Sequence, residues 1–399
     1  MNRLTRRHFL QFTSSVLAGI GINQVLFQRQ AQLYGQALAQ STPRKLALLV
    51  GINSYIKDPL EGCLNDLDLQ RNLLIHRFGF NPKDILVLSD KDATREGILT
   101  AFEEHLIKQA KPGDVVVYHY SGHGSRIFDP NPIVVEPGKE GMNGTFVPVD
   151  GNLPAGYPEV GGSVQDIMGH TLFLLMSALK SENVTVVLDS CFSGGGTREV
   201  PGRVRSRNGG ENILVSAKEK SYQEQWLSRL KMSPEDFVKG YRTGVAKGVV
   251  LAASAPNQVA REVNINGFKA GIFSYLLTHY LWQEDSNIEQ VFQKILPEFP
   301  EFFKQLPLYE VKVGSEYQRQ APYFISSPMS PAQAVVTQVS GNNAQLWLGG
   351  FDLKKVIRGK VFTAIKGTGQ VKVVSRKGII AQATVEKAVT EGMLLRLMG

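Results

Sequence analysis

The stretch Asp114-Val115-Val116-Val117-Tyr118-His119-Tyr120-Ser121-Gly122-His123-Gly124 decides the fold. Residues 114–120 read as a buried strand, with Val115-Val116-Val117 at its centre, and the turn Lys111-Pro112-Gly113 precedes it. Outward from there, residues 45–53, 84–88, 183–188 and 248–253 read as further strands. Residues 65–78, 94–109, 167–179 and 272–282 carry apolar side chains at helical spacing. Strands alternating with helices predict an α/β fold, a mostly parallel sheet covered by helices on both faces.

Three regions depart from that rhythm. Residues 125–162 form a glycine- and proline-rich excursion, and residues 197–247 are rich in arginine, lysine, glutamate and glycine, with one short helical stretch at 222–230. The latter reads as an exposed insertion between two parts of the sheet. After the linker marked by Ser326-Ser327-Pro328 and Ser330-Pro331, short β-type runs at 344–348, 360–364, 370–375 and 379–385 predict a small C-terminal all-β domain over 332–399.

The chain has 399 residues, 43% hydrophobic and 20% charged, which excludes a disordered, collagen-like or polytopic membrane protein. Its net charge of +8 owes half its size to Arg3, Arg6, Arg7 and Arg29 in an acid-free N-terminus. The body is therefore only mildly basic, without a basic stripe interleaved with aromatics, and nucleic acid is not an expected partner. Residues 1–39 read as a signal peptide: the run Thr5-Arg6-Arg7-His8-Phe9-Leu10-Gln11 has the twin-arginine export pattern and Ala37-Leu38-Ala39 a signal-peptidase pattern. The expectation is export to the periplasm or an equivalent space, with no membrane association after signal removal. The remainder divides into a catalytic domain, 40–327, and the β domain.

Ligands bind beyond the carboxyl ends of strands in an open parallel sheet. There the chain places Asn53 and the loop to Cys63 and Asp66, then Ser121-Gly122-His123-Gly124, then Asp189-Ser190-Cys191 with a glycine run, then Ser254-Ala255-Pro256. A cysteine and a histidine at neighbouring strand ends suit nucleophilic catalysis, because an imidazole takes the proton of a thiol that is mostly neutral at pH 7. The backbone N–H groups of Gly124 and Cys191 are the candidate oxyanion donors. Other chemistries fit less well. His119 and His123 have a helical metal spacing in a segment that is not a helix. The glycine run lacks the lysine of a phosphate loop, and Ser193 lies in no nucleophile elbow. Taken singly, a cysteine at a strand end is ordinarily a small buried hydrophobe, so the inference rests on the set.

The motifs Tyr118-His119-Tyr120-Ser121-Gly122-His123-Gly124 and Val187-Leu188-Asp189-Ser190-Cys191-Phe192-Ser193-Gly194 resemble the histidine and cysteine motifs of caspase-like cysteine peptidases. With Leu48-Leu49-Val50-Gly51-Ile52-Asn53 and Gly62-Cys63-Leu64-Asn65-Asp66, the resemblance is to metacaspases, in particular the bacterial orthocaspases, and it covers about residues 46–282. It implies a His123–Cys191 dyad and a specificity pocket floored by Asp66 and Asp189 and lined by Cys63 and Ser121. The implied activity is endopeptidase cleavage of protein substrates after arginine or lysine, by a monomer.

Many metacaspases need calcium, but Asn143 and Gly144 stand where the family often has acids, and Asp166 is followed by Ile167-Met168-Gly169. The expectation is therefore no metal site and no cofactor, calcium included. The 197–247 insertion, with Arg198, Arg203, Arg205 and Arg207 among glycines, is the expected site of self-processing, and the sequence does not choose among the four. The rival reading is a catalytically silent caspase-fold binding module.

Overall fold

Six strands form the central sheet of the computed structural model, which describes residues 43–129, 132–133, 141–191, 202–256, 258–326, 328–355 and 357–398. In chain order they are β1 (Lys45–Gly51), β2 (Ile85–Ser89), β3 (Val115–Ser121), β4 (Val184–Asp189), β5 (Val249–Ala252) and β6 (Leu308–Val311). Their spatial order is β6-β5-β4-β3-β1-β2; all neighbours are parallel except the edge strand β6, antiparallel to β5. Side chains alternate between two cores, as a two-residue period demands. Ala47, Leu49, Val115, Val117 and Leu251 face one, while Leu48, Val50, Val116, Tyr118 and Leu188 face the other.

Helices α1 (Cys63–Asn72), α6 (Ile272–Gln283) and α7 (Ile288–Ile295) cover the first face, contributing Leu67, Phe273 and Phe292. The second face takes α2 (Arg95–Ala101), α3 (Gly169–Ala178), α4 (Ala217–Leu230) and α5 (Pro234–Arg242). Two predicted helices are shorter in α-form than their periodicity indicated: α1 and α2 each run into a π-type turn, at Leu73–Arg77 and Phe102–Ile107. Among the described residues, no helix is long and apolar enough to cross a membrane.

The 197–247 segment corrects the sequence reading. Residues 197–201 lie outside the described residues, but 202–247 is not an exposed insertion. Arg205 and Arg207 are buried, two short strands (Arg203–Val204 and Gly210–Leu214) join flanking sheets, and α4 and α5 bury Trp226 and Phe237 in the second core. Arginines seldom go inside unless paired, and here both are paired. The 125–162 excursion likewise contains structure, a hairpin of Gly124–Phe128 and Met142–Phe146.

At the C-terminus Ala334–Ser340, Asn343–Trp347, Val361–Ala364, Gln370–Lys377, Ile380–Lys387 and Leu394–Leu397 close into a barrel. The first and last of these strands had no counterpart in the sequence reading. The barrel shares its apolar interior with the first core. Trp347 meets Trp282 with ring centroids 5.2 Å apart, and its indole N–H donates to Asp68 at 2.8 Å. The signal-peptide reading falls on residues outside those described.

Candidate active site

Strand register builds the site. Ser121 at the end of β3 pairs with Gly51 of β1 and with Asp189 of β4, so the three stand in one row at the carboxyl edge of the sheet. His123 and Cys191 each follow two residues beyond that row, after the adjacent strands β3 and β4. Both are buried. The order of strands in space, rather than proximity in sequence, thus brings them together.

His123 is oriented by groups the sequence reading did not identify. Its Nε2 lies 2.7 Å from the carbonyl oxygen of Asp58, a residue at φ +54°. A carbonyl only accepts, so Nε2 carries the proton and Nδ1, which is buried and makes no hydrogen bond, is the basic nitrogen. The Tyr55 hydroxyl accepts the His123 backbone N–H at 2.9 Å, and the two rings lie 4.5 Å apart. Burial lowers the imidazole pKa to about 4, a shift that the Asp58 carbonyl opposes, so the ring is neutral at pH 7. Burial pushes the Cys191 thiol up to about 12, against the hydrogen bonds it receives. The thiol donates to the Ala260 carbonyl at 3.1 Å and accepts the Ala260 N–H. Thiol and imidazole therefore both rest uncharged.

The cleft is filled by the chain itself. The carbonyl oxygen of Arg205 accepts the N–H of Gly124 at 3.0 Å and that of Cys191 at 3.1 Å, the two donors singled out from sequence. The Arg205 N–H donates to Ala260 at 3.0 Å, and Arg203–Val204 pairs antiparallel with Arg261–Glu262. Below the backbone, the Arg205 guanidinium reaches Asp66 at 2.7 Å, Asp189 at 3.0 Å and Glu262 at 3.6 Å, and donates to the Ser121 hydroxyl at 2.9 Å.

Each carboxylate is also tied to backbone. Asp66 accepts from Gly271 N at 2.9 Å, Asp189 from Ser274 N at 3.0 Å, and Glu262 from the N–H groups of Glu61 and Gly62 at 2.9 Å. Cys63 is buried beside Arg205 and Ser121, its thiol raised to about 12 by burial. Desolvation works against the charge on Arg205, and Asp189 and Asp66 more than restore it, raising its pKa. The sequence-predicted pocket residues thus converge on one guanidinium. Glu262, Gly271 and Ser274 join them from the 248–282 region: Gly271 through its backbone, Glu262 through its carboxylate, and Ser274 through both its N–H and its hydroxyl, which donates to Asp189 at 2.7 Å. These partners are distant in sequence, so the sequence carries no local signal for them. The two cysteines are free.

The acids near the histidine loop are engaged elsewhere. Asp129 accepts from the Asn143 side-chain amide at 2.8 Å, and Asp166 is held by Arg207 at 2.7 Å. Among the described residues, no three His, Cys, Asp or Glu side chains gather as a metal site.

Residues 45–198 match the family described as metacaspase, peptidase C14 domain. Among curated proteins the chain is 35% identical over 164 residues to metacaspase-1 of Candida glabrata, covering 39% of this chain and 38% of that protein. It is 25% identical over 306 residues to metacaspase-1 of Schizosaccharomyces pombe, covering 66% of each. With metacaspase-7 of Arabidopsis thaliana it shares 38% identity over 157 residues, 38% of this chain and 35% of that protein. The matched part spans between about a third and two thirds of these relatives' length. A metacaspase-type C14 domain is what the motif resemblance implied.

Proposed function

We propose that the chain is a cysteine endopeptidase that cleaves after arginine, and after lysine less well, through His123 and Cys191, and that its first substrate is its own Arg205–Ser206 bond. The observation that carries this reading is the seating of Arg205: carbonyl oxygen between two N–H donors, guanidinium on the carboxylates of Asp66 and Asp189. An arginine fork matches two carboxylates better than a lysine ammonium does.

In the proposed reaction the Cys191 Sγ attacks the Arg205 carbonyl carbon while its proton passes to Nδ1 of His123. The negative oxygen is held by the Gly124 and Cys191 N–H groups. The imidazolium, steadied by the Asp58 carbonyl, returns the proton to the nitrogen of Ser206. Breaking the C–N bond frees that amine and leaves a thioester on Cys191. Water, deprotonated by His123, then hydrolyses the thioester to the Arg205 carboxylate and restores the thiol. Departure of residues 203–205 opens the pocket to other substrates.

The motif resemblance supports action as a monomer, and the engagement of Asp129 by Asn143 and of Asp166 by Arg207 supports calcium independence. The Thr5–Gln11 pattern supports export by the twin-arginine route. The test is hydrolysis of fluorogenic peptides ending in Arg, Lys or Asp by the self-processed protein, with calcium or with chelator, against Cys191→Ala. Turnover after Arg and Lys that vanishes in Cys191→Ala and ignores chelator is expected. Turnover after Asp, or none by folded, processed protein, overturns the reading.

A further inference from the structure

Beyond the dyad and the first pocket, we infer that Asp166 forms a second binding subsite, which selects a basic residue two positions after the scissile bond. The inference rests on the peptidase reading, since it takes Arg205–Ser206 as that bond.

Across the bond, burial alternates as in an extended chain: Arg205 is buried, Ser206 half-buried and Arg207 buried again. Past the bond the backbone is held as an added strand. Ser206 bridges Gly124 in parallel sense, and the Arg207 N–H donates to the Gly124 carbonyl at 2.9 Å. The Arg207 guanidinium enters a hole of its own, where Nη1 and Nη2 donate to the two oxygens of Asp166 at 2.8 and 2.7 Å. Nη1 also donates to the Gly151 carbonyl, and Nη2 to the Ser125 hydroxyl at 3.2 Å. Thr145 donates to Asp166 at 2.6 Å, fixing the carboxylate.

Asp166 has 1% exposure and takes no part in the chemistry at Cys191. A buried carboxylate left without its cation is costly, so the hole discriminates by rejecting neutral residues as much as by attracting arginine. The enzyme therefore reads two arginines flanking one unread position, Arg-x-Arg, with the bond after the first.

The test uses self-processed Arg207→Gln protein, whose own guanidinium no longer competes for the hole, and quenched-fluorescence peptides containing Arg-Ser-Arg or Arg-Ser-Gln. The expected kcat/KM ratio is about ten- to a hundredfold in favour of Arg-Ser-Arg, the worth of a charge-assisted bidentate contact. Adding Asp166→Asn brings that ratio close to one. Partial unfolding lowers both rates alike and leaves the ratio untouched, so a merely structural Asp166 does not mimic the result.

A ratio near one with Asp166 present, or a preference that survives Asp166→Asn, overturns the subsite while leaving the peptidase reading intact. Failure to cleave either peptide overturns both. In cis, Arg207→Lys, which keeps a cation, self-cleaves faster than Arg207→Gln. Equal cis rates contradict the subsite.

Discussion

Arg205 sets one positive charge among Asp66, Asp189 and Glu262, with none of its own side chain exposed. Removing one partner of a buried pair ordinarily costs about 3–5 kcal/mol because the other charges stay behind. Arg205→Gln should therefore lower the urea midpoint as well as abolish cleavage at that bond; an unchanged midpoint contradicts the burial described. Burial raises the Asp66 carboxyl above its ordinary range, with Arg205 pulling it down and Asp189 pushing it further up. On the proposed specificity, an arriving arginine needs Asp66 ionised. As pH falls through that raised range Asp66 takes up a proton, the pocket loses a negative charge, and binding weakens. His123, held near 4, stays neutral meanwhile. Peptide hydrolysis should accordingly lose kcat/KM on acidification through a rise in KM, and Asp66→Asn should flatten that limb. A limb carried by kcat at constant KM points to the histidine instead.

At the scale of elements, the sheet is legible because parallel strands covered on both faces are continuous apolar runs, and the placement of His123 and Cys191 at neighbouring strand ends because both follow such runs. The described part of the linker departs from its sequence expectation for a physical reason. Charge composition reads as solvation, and nothing local reveals that Arg205 and Arg207 find carboxylates on α1, β4 and the loop before α3. The carbonyl of Asp58 was equally hidden, since any residue type supplies one. Gly124 shows how tightly a strand start is bound to the site: a Cβ there would lie 1.7 Å from the carbonyl oxygen of Cys191. Gly124→Ala must push the two loops apart, and it should lower kcat by at least the ~10²–10³-fold that one lost oxyanion donor costs. Circular dichroism checks that the variant is folded, and a folded variant with near-normal kcat contradicts the placement of that amide.

Across the whole molecule, the barrel is not tethered to the sheet by a loose linker but continues its first core through Trp282 and Trp347. Calorimetry of the processed protein should show sheet and barrel melting in one transition. Trp347→Ala, at about 3–5 kcal/mol for a large buried aromatic, should shift that transition as a unit. Two separate transitions, only one of them moved, contradict a shared core. The proposed activation belongs to the same scale: one cut in the segment that threads the cleft would release the pocket while the residues after the cut stay in the flanking sheet. N-terminal sequencing of the fragments formed by purified wild-type protein tests this most directly. A new terminus at Ser206, absent from Cys191→Ala and from Arg205→Gln, is the predicted result. Cleavage at a different bond, or the same cut in Cys191→Ala, would contradict it.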